Sequence, residues 1–129
     1  MTDINYFKKK AKLFLKDFKT QYFDEEEDVY QYAPKYFADI DELIISYDIN
    51  EENFSLMNAQ HIIALLAGFR KWDELLTASE ARLELGKLFI ENRNESLCIA
   101  DDFGIYLHDN GLEDLGDENI LELFRVVFL

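Results

Sequence analysis

The side chains best suited to nucleophilic or metal chemistry are few: two histidines, His61 and His108, and one cysteine, Cys98. A structural zinc site usually needs four nitrogen or sulfur ligands, and these three lie far apart in the sequence. One helical turn beyond His61 stands Leu65, which is not a ligand. Cys98 has apolar neighbours, which is typical of a buried, unreactive thiol. The sequence therefore favours neither a zinc site nor a cysteine–histidine nucleophile.

Carboxylates are abundant, with 27 Asp and Glu against 13 Lys and Arg. In such a chain, neighbouring acids are expected on solvated faces, so a pair of them does not by itself indicate acid–base catalysis. The segment 109–114 resembles part of a calcium loop, but placing Gly111 at its sixth position puts Tyr106 where an aspartate is needed. Only weak binding of a divalent cation stays open there. We expect no catalytic residues, no cofactor and no bound metal.

The elements that would position any site belong to one domain, residues 1–129. This length suits a single domain, and 49% hydrophobic residues are enough to build a core. The first 20 residues carry six lysines and two acids, whereas residues 21–60 carry eleven acids and one lysine. The net charge of −14 argues against nucleic-acid binding.

Two interpretations of this uneven charge stay open. In the first, the lysines of the N-terminal helix lie across acidic neighbours and offset their repulsion within the molecule. In the second, an acidic surface binds a basic protein. The candidate surface is a run of five acids: Asp24, Glu25, Glu26, Glu27 and Asp28.

Lysines interrupt the apolar residues near the N-terminus, so residues 1–20 do not form a signal peptide. No apolar stretch approaches the roughly 18 residues that a membrane span needs. A basic amphipathic helix can bind a membrane surface, but anionic lipid would repel the rest of this acidic chain. We therefore expect a cytoplasmic protein without a membrane partner.

Apolar residues at helical spacing predict an all-α fold, a compact bundle of five or six helices. Thr2 is the expected N-cap of the first helix, and Pro34 is expected to lie near the start of a new element. Residues 97–107 permit either a helix or short strands. The predicted helices cover about residues 3–20, 36–47, 56–67, 72–76, 80–92 and 117–128.

A helix–Gly–helix hairpin is expected at the centre of the bundle. Ser55 is the expected cap of its first helix, and Gly68 stands where a left-handed residue ends that helix. Phe69 and Trp72 should then fold back onto the first helix. Gln60 shares the apolar face, where its side chain is expected to bond the backbone of a neighbouring loop.

Residues 59–75 resemble a motif, A-Q-x-x-I-A-x-x-x-G-F-x-x-W-x-x-L, of small uncharacterised bacterial helical proteins. The same motif is found at the N-termini of some bacterial ankyrin-repeat and glyoxalase-related proteins. The resemblance implies a helical hairpin and no known activity, so it carries over no catalytic residue. The matching residues are Ala59, Gln60, Ile63, Ala64, Gly68, Phe69, Trp72 and Leu75.

Two classes of function follow. The first is a non-enzymatic interaction module, immunity- or antitoxin-like, that binds a basic protein through its acidic surface. The alternative is a small ligand-binding or enzymatic domain with an aromatic, carboxylate-lined pocket between residues 30–47 and the hairpin. Self-association through exposed tyrosines is a third option, and the sequence does not indicate an oligomeric state.

Overall fold

The computed structural model describes residues 2–93 and 99–129. These residues contain seven α-helices and one two-stranded antiparallel sheet. The mainly helical class is confirmed, but the helices outnumber the five or six predicted and a sheet is present. Cys98 and Leu97 lie outside the described residues. The elements are α1 (Ile4–Phe18), β1 (Tyr22–Asp24), β2 (Val29–Gln31), α2 (Ile40–Ser46), α3 (Leu56–Leu66), α4 (Trp72–Leu76), α5 (Glu80–Glu91), α6 (Ile99–Asp109) and α7 (Asp117–Phe128), with a short 3-10 turn at Glu51–Asn53.

The N-cap of α1 is Asp3, and the prediction of Thr2 is wrong. The Asp3 side chain accepts the backbone N–H of Asn5 at 2.8 Å. Thr2 is buried, and its hydroxyl donates to the carboxylate of Glu84 on α5. The hydroxyl of Thr2 thus bonds a residue distant in sequence, and the next residue, Asp3, caps the helix instead.

The run of five acids connects two strands. Phe23 pairs with Tyr30, and Asp24 pairs with Val29, so residues 25–28 form the turn of a β-hairpin. The Asp24 side chain accepts the backbone N–H of Glu26 at 3.0 Å, and Asp28 takes the left-handed φ of 56° that the reversal needs. The flanking aromatic and β-branched residues favour strands.

The chain from the hairpin to α2 is irregular. The prediction of a new element near Pro34 is wrong, because α2 begins only at Ile40. Proline disfavours helix in the residue before it, and here residues 32–39 remain extended or turned. Their backbone donors must therefore find partners outside a helix or sheet.

Asp17 supplies those partners. This α1 residue is 1% exposed, and its carboxylate accepts the backbone N–H groups of three consecutive residues. The closest hydrogen bonds from Lys35, Tyr36 and Phe37 measure 3.0, 3.1 and 2.7 Å. One buried side chain thus fixes the irregular segment against the end of α1.

The core consists of two hydrophobic clusters that share α5. Leu83 and Ile90 of α5 belong to the first cluster, built mainly by α1, α2, α3 and α4. Its Ala81, Leu85 and Phe89 belong to the second cluster, which α6 and α7 complete. Helix α5 is therefore apolar on two faces and joins the two halves of the core.

Replacing Asp17 with alanine should lower the free energy of unfolding by about 3 kcal/mol or more. The substitution removes three hydrogen bonds to a carboxylate, each of which contributes about 1.5–3 kcal/mol when the acceptor is charged, and it leaves the buried N–H of Phe37 without an acceptor. Urea denaturation measures the change, and Asp114→Ala, at an exposed loop position, is the control. Equal stability of the two variants would contradict this role.

Candidate functional site

The β-hairpin of residues 22–31, here called the acidic aromatic hairpin, exposes the large side chains of both strands. Tyr22 and Phe23 are each 46% exposed, and Tyr30 is 68% exposed. The rings of Phe23 and Tyr30 meet edge to face across the strands, with centroids 5.2 Å apart. The structure therefore places an aromatic surface directly beside the five acids that the sequence singled out.

The charges of this hairpin are not neutralised by ion pairs. Within residues 2–93 and 99–129, no cationic side chain lies within 4.0 Å of the carboxylates of residues 24–28. The α1 lysines likewise form no ion pair with any described carboxylate. Direct pairing of the basic helix with its acidic neighbours is thus absent from that part of the chain.

The base of the hairpin is held firmly. The Tyr32 hydroxyl donates to Glu51 at 2.6 Å and accepts from Gln21 at 3.3 Å. The Thr20 hydroxyl accepts the N–H of Ala33 at 2.9 Å. Burial, followed by the hydrogen bond to the Glu51 carboxylate, raises the pKa of Tyr32 above its ordinary value. The exposed aromatic residues therefore stand on an anchored base.

The predicted end of α3 is seen at Gly68. Its φ is +86°, and the carbonyls of Ala64 and Leu65 accept the N–H groups of Phe69 and Gly68 at 2.9 and 3.0 Å. This pair of bonds is a Schellman motif, in which a left-handed residue closes the helix. Ser55 caps the other end of α3 with a capping box, as expected.

Arg82, which sequence reasoning missed, packs against this turn. Its Nη2 donates to the carbonyl of Ala67 at 3.1 Å, and its guanidinium lies 4.1 Å from the centre of the Phe69 ring. Burial lowers the pKa of Arg82 to about 10, although Asp117 opposes the shift. No local sequence pattern links Arg82 to Gly68, because the contact joins residues 14 positions apart.

The other residues of the predicted motif have ordinary structural places. Phe69 is buried and Trp72 is partly buried, both against the first cluster. The Gln60 side chain forms no hydrogen bond with any residue that the structure describes, so its expected bond to a neighbouring loop is not observed there.

The two histidines are on separate elements. His108, near the end of α6, is exposed, with Nδ1 at 2.7 Å from Glu113. His61 on α3 faces a cavity of about 330 Å³ beside the 47–54 connection, together with Asp48 and Asn58. The described residues contain no group of three or more His, Cys, Asp or Glu side chains that could hold a metal ion.

Comparisons of the chain with protein-family models, with curated proteins and with solved structures give no match. The family resemblance of residues 59–75 therefore stays a prediction. Among the described helices, none combines the length and apolar character needed to cross a membrane.

Gly68→Ala should destabilise the fold by about 2 kcal/mol, since a non-glycine residue costs about 1–2 kcal/mol in the left-handed region. A Cβ at this position would also lie 2.8 Å from Arg82 Nη2. Gly104→Ala, in the middle of α6, adds its Cβ to open space and should be neutral or stabilising. Thermal unfolding compares the two variants, and equal melting temperatures would disprove the strained turn.

Tyr32→Phe should have a lower free energy of unfolding than the wild type below pH 10. This difference should shrink as the pH rises above that value. A tyrosine whose pKa is raised on folding retains its proton more tightly in the folded state, so stability falls as pH rises through that range. The hydrogen bond contributes about 1 kcal/mol or less, because Tyr32 is partly exposed. Urea unfolding from pH 8 to 12 should show the wild-type advantage shrinking.

Glu51→Gln is the matched variant, because it keeps an acceptor for Tyr32 but removes the carboxylate charge. Its alkaline loss of stability should be smaller than that of the wild type. A wild-type advantage over Tyr32→Phe that stays constant from pH 8 to 12 would rule out the Tyr32–Glu51 contact as its source.

Proposed function

We propose that this chain is a non-enzymatic protein-interaction module that binds a basic protein through the acidic aromatic hairpin. The observation that carries the proposal is the exposed tyrosine and phenylalanine surface beside five carboxylates that no described cation pairs with. The size and charge of the chain favour an immunity- or antitoxin-like role within this class.

The two parts of the hairpin make different contributions to binding. Clustered carboxylates attract a basic partner over long distances and raise its rate of association. Tyrosine is enriched among the residues that dominate interface energies, since its ring buries a large area and its hydroxyl can still bond. Tyr30, the most exposed ring of the hairpin, is the expected centre of contact.

The backbone of the hairpin adds a third means of recognition. In the described structure its sheet has only two strands, so each strand has one edge without a strand partner. An extended segment can add to such an edge through main-chain hydrogen bonds. A partner segment with alternating basic and apolar side chains would match both the edge and the charged turn. Nucleic acid and anionic membranes do not fit this surface.

A small-molecule site is the second candidate function. It is favoured by the cavity beside α3, where Asp48 adopts a left-handed φ of 49° next to His61. Non-glycine residues held in this conformation cluster at functional sites. Nine residues between Tyr47 and Ile62 line this cavity, whereas the alternative sequence prediction was a pocket between residues 30–47 and the helix–Gly–helix hairpin.

The proposal is tested by capture of partners from a lysate of the source organism with two charge-matched variants. The hairpin variant carries Glu25→Gln, Glu26→Gln and Glu27→Gln. The control variant removes three exposed charges elsewhere: Asp101→Asn, Asp109→Asn and Asp114→Asn. Both variants have the same net charge, so a difference between them reports the place of the charge and not its total.

We expect the wild type and the control to capture one basic protein at least about tenfold better than the hairpin variant does. Capture should weaken strongly between about 0.05 M and 0.5 M salt, as screening shortens the range of the charges. Equal capture by both variants, capture that salt does not affect, a partner that is not basic, or no capture at all would overturn the proposal.

A further inference from the structure

Two adjoining cavities meet at Arg82, away from the hairpin. The outer cavity, of about 410 Å³, and the inner cavity, of about 210 Å³, share Gly68, Arg82 and Asp117 in their walls. The outer one is otherwise bordered by Phe69, Thr77 and the ion pair of Arg70 with Glu74. The inner one is mainly apolar, with Leu85, Phe89, Phe103, Leu107 and Ile120 in its wall.

Arg82 carries a positive charge that no described carboxylate pairs with directly. No carboxylate of the described residues lies within 4.0 Å of its guanidinium. Its Nη2 bonds the Ala67 carbonyl, while Nη1 is closed off from solvent and has no acceptor. Buried charges are normally paired. The uncovered part of this side chain lines both cavities and can receive an anion.

Asp117 places a negative charge at the same cavities. Its carboxylate accepts the Ser79 hydroxyl at 2.7 Å and forms no ion pair with a described cation. Arg82 and Asp117 are thus near enough to line the same space but too far apart to pair directly. The walls also carry Arg70 and Glu74, but these two pair with each other at 3.4 Å, so Arg82 and Asp117 are the two wall charges without a direct ion pair. An apolar interior lies beyond them.

We propose that these cavities bind a free α-amino acid with an apolar side chain, such as leucine. The ligand carboxylate would lie beside Arg82, its ammonium beside Asp117, and its side chain in the inner cavity. An apolar cavity of about 150 Å³ is enough for benzene, so the inner cavity has room for such a side chain. This inference does not depend on the proposed function of the hairpin.

The charge arrangement separates a zwitterion from simpler ligands. An apolar carboxylate would gain from Arg82 but be repelled by Asp117, and an apolar amine would meet the reverse. Only a ligand with both charges satisfies both residues. A ligand with one charge leaves Arg82 or Asp117 without its partner, and this penalty gives the site its specificity. The comparison of leucine with its two halves therefore tests the geometry.

Isothermal titration calorimetry of the full chain should use L-leucine, 4-methylpentanoate, which lacks the ammonium, and 3-methylbutylamine, which lacks the carboxylate. Leucine should bind at least about tenfold tighter than either analogue. Asp117→Asn should weaken leucine and strengthen 4-methylpentanoate, because it removes both the partner of the ammonium and the repulsion of the carboxylate.

Gly104→Leu tests the inner cavity through a substitution that should leave the fold intact. Gly104 lines the inner cavity on α6, and a Cβ added there meets no atom within 4 Å. The longer side chain should fill the cavity and abolish leucine binding while thermal unfolding stays as in the wild type. Absence of leucine binding to the wild type, equal binding of the analogues, or undiminished binding to the folded Gly104→Leu variant would overturn the proposal.

Discussion

The buried carboxylate of Asp17 is the interaction on which the irregular part of this chain depends. Between α1 and α2 the backbone forms only a short hairpin, so most of its donors lack regular partners. Asp17 accepts three consecutive N–H groups directly before α2, and Thr20 bonds the backbone of Ala33 on the other side of the hairpin. The end of α1 therefore fixes the chain that follows the hairpin, and the aromatic residues on the hairpin strands can stay exposed.

A second constraint is the close approach of α5 to the end of α3. A Cβ on Gly86 of α5 would lie 3.1 Å from the Cβ of Ala67, so a larger residue would push the helices apart. One turn earlier on α5, Arg82 reaches the Ala67 carbonyl because Gly68 has no side chain in its path. Gly68 and Gly86 thus let one face of α5 lie close to α3. The other face of α5 contacts α6 and α7, so this one helix belongs to both hydrophobic clusters.

Sequence reasoning succeeded where the cause of a structure is local. Ser55 caps α3 through a group three residues away, and Gly68 ends α3 through bonds within one turn. It failed where the cause is distant. Thr2 was predicted to be a cap but bonds Glu84, and no role was predicted for Asp17, one of the two acids among the first 20 residues. The hairpin was missed because its turn contains neither glycine nor asparagine; Asp28 takes the left-handed position. The Arg82 cavities need four helices, α4 to α7, to come together, and no spacing in the sequence encodes that.

The charges of the proposed binding surface are separate from the interactions that stabilise the fold. Exposed ion pairs contribute little to folding, and here the α1 lysines and the carboxylates of residues 24–28 form none among the described residues. The apolar clusters and buried bonds such as those of Asp17 stabilise the fold, while a net charge of −14 works against compactness. The carboxylates of residues 24–28 therefore stay available for contacts outside the described chain, as the proposed function requires. Only five of the 27 acids lie on the hairpin, but they are consecutive and stand beside exposed aromatic rings on an anchored base, which is why the proposed contact is placed there.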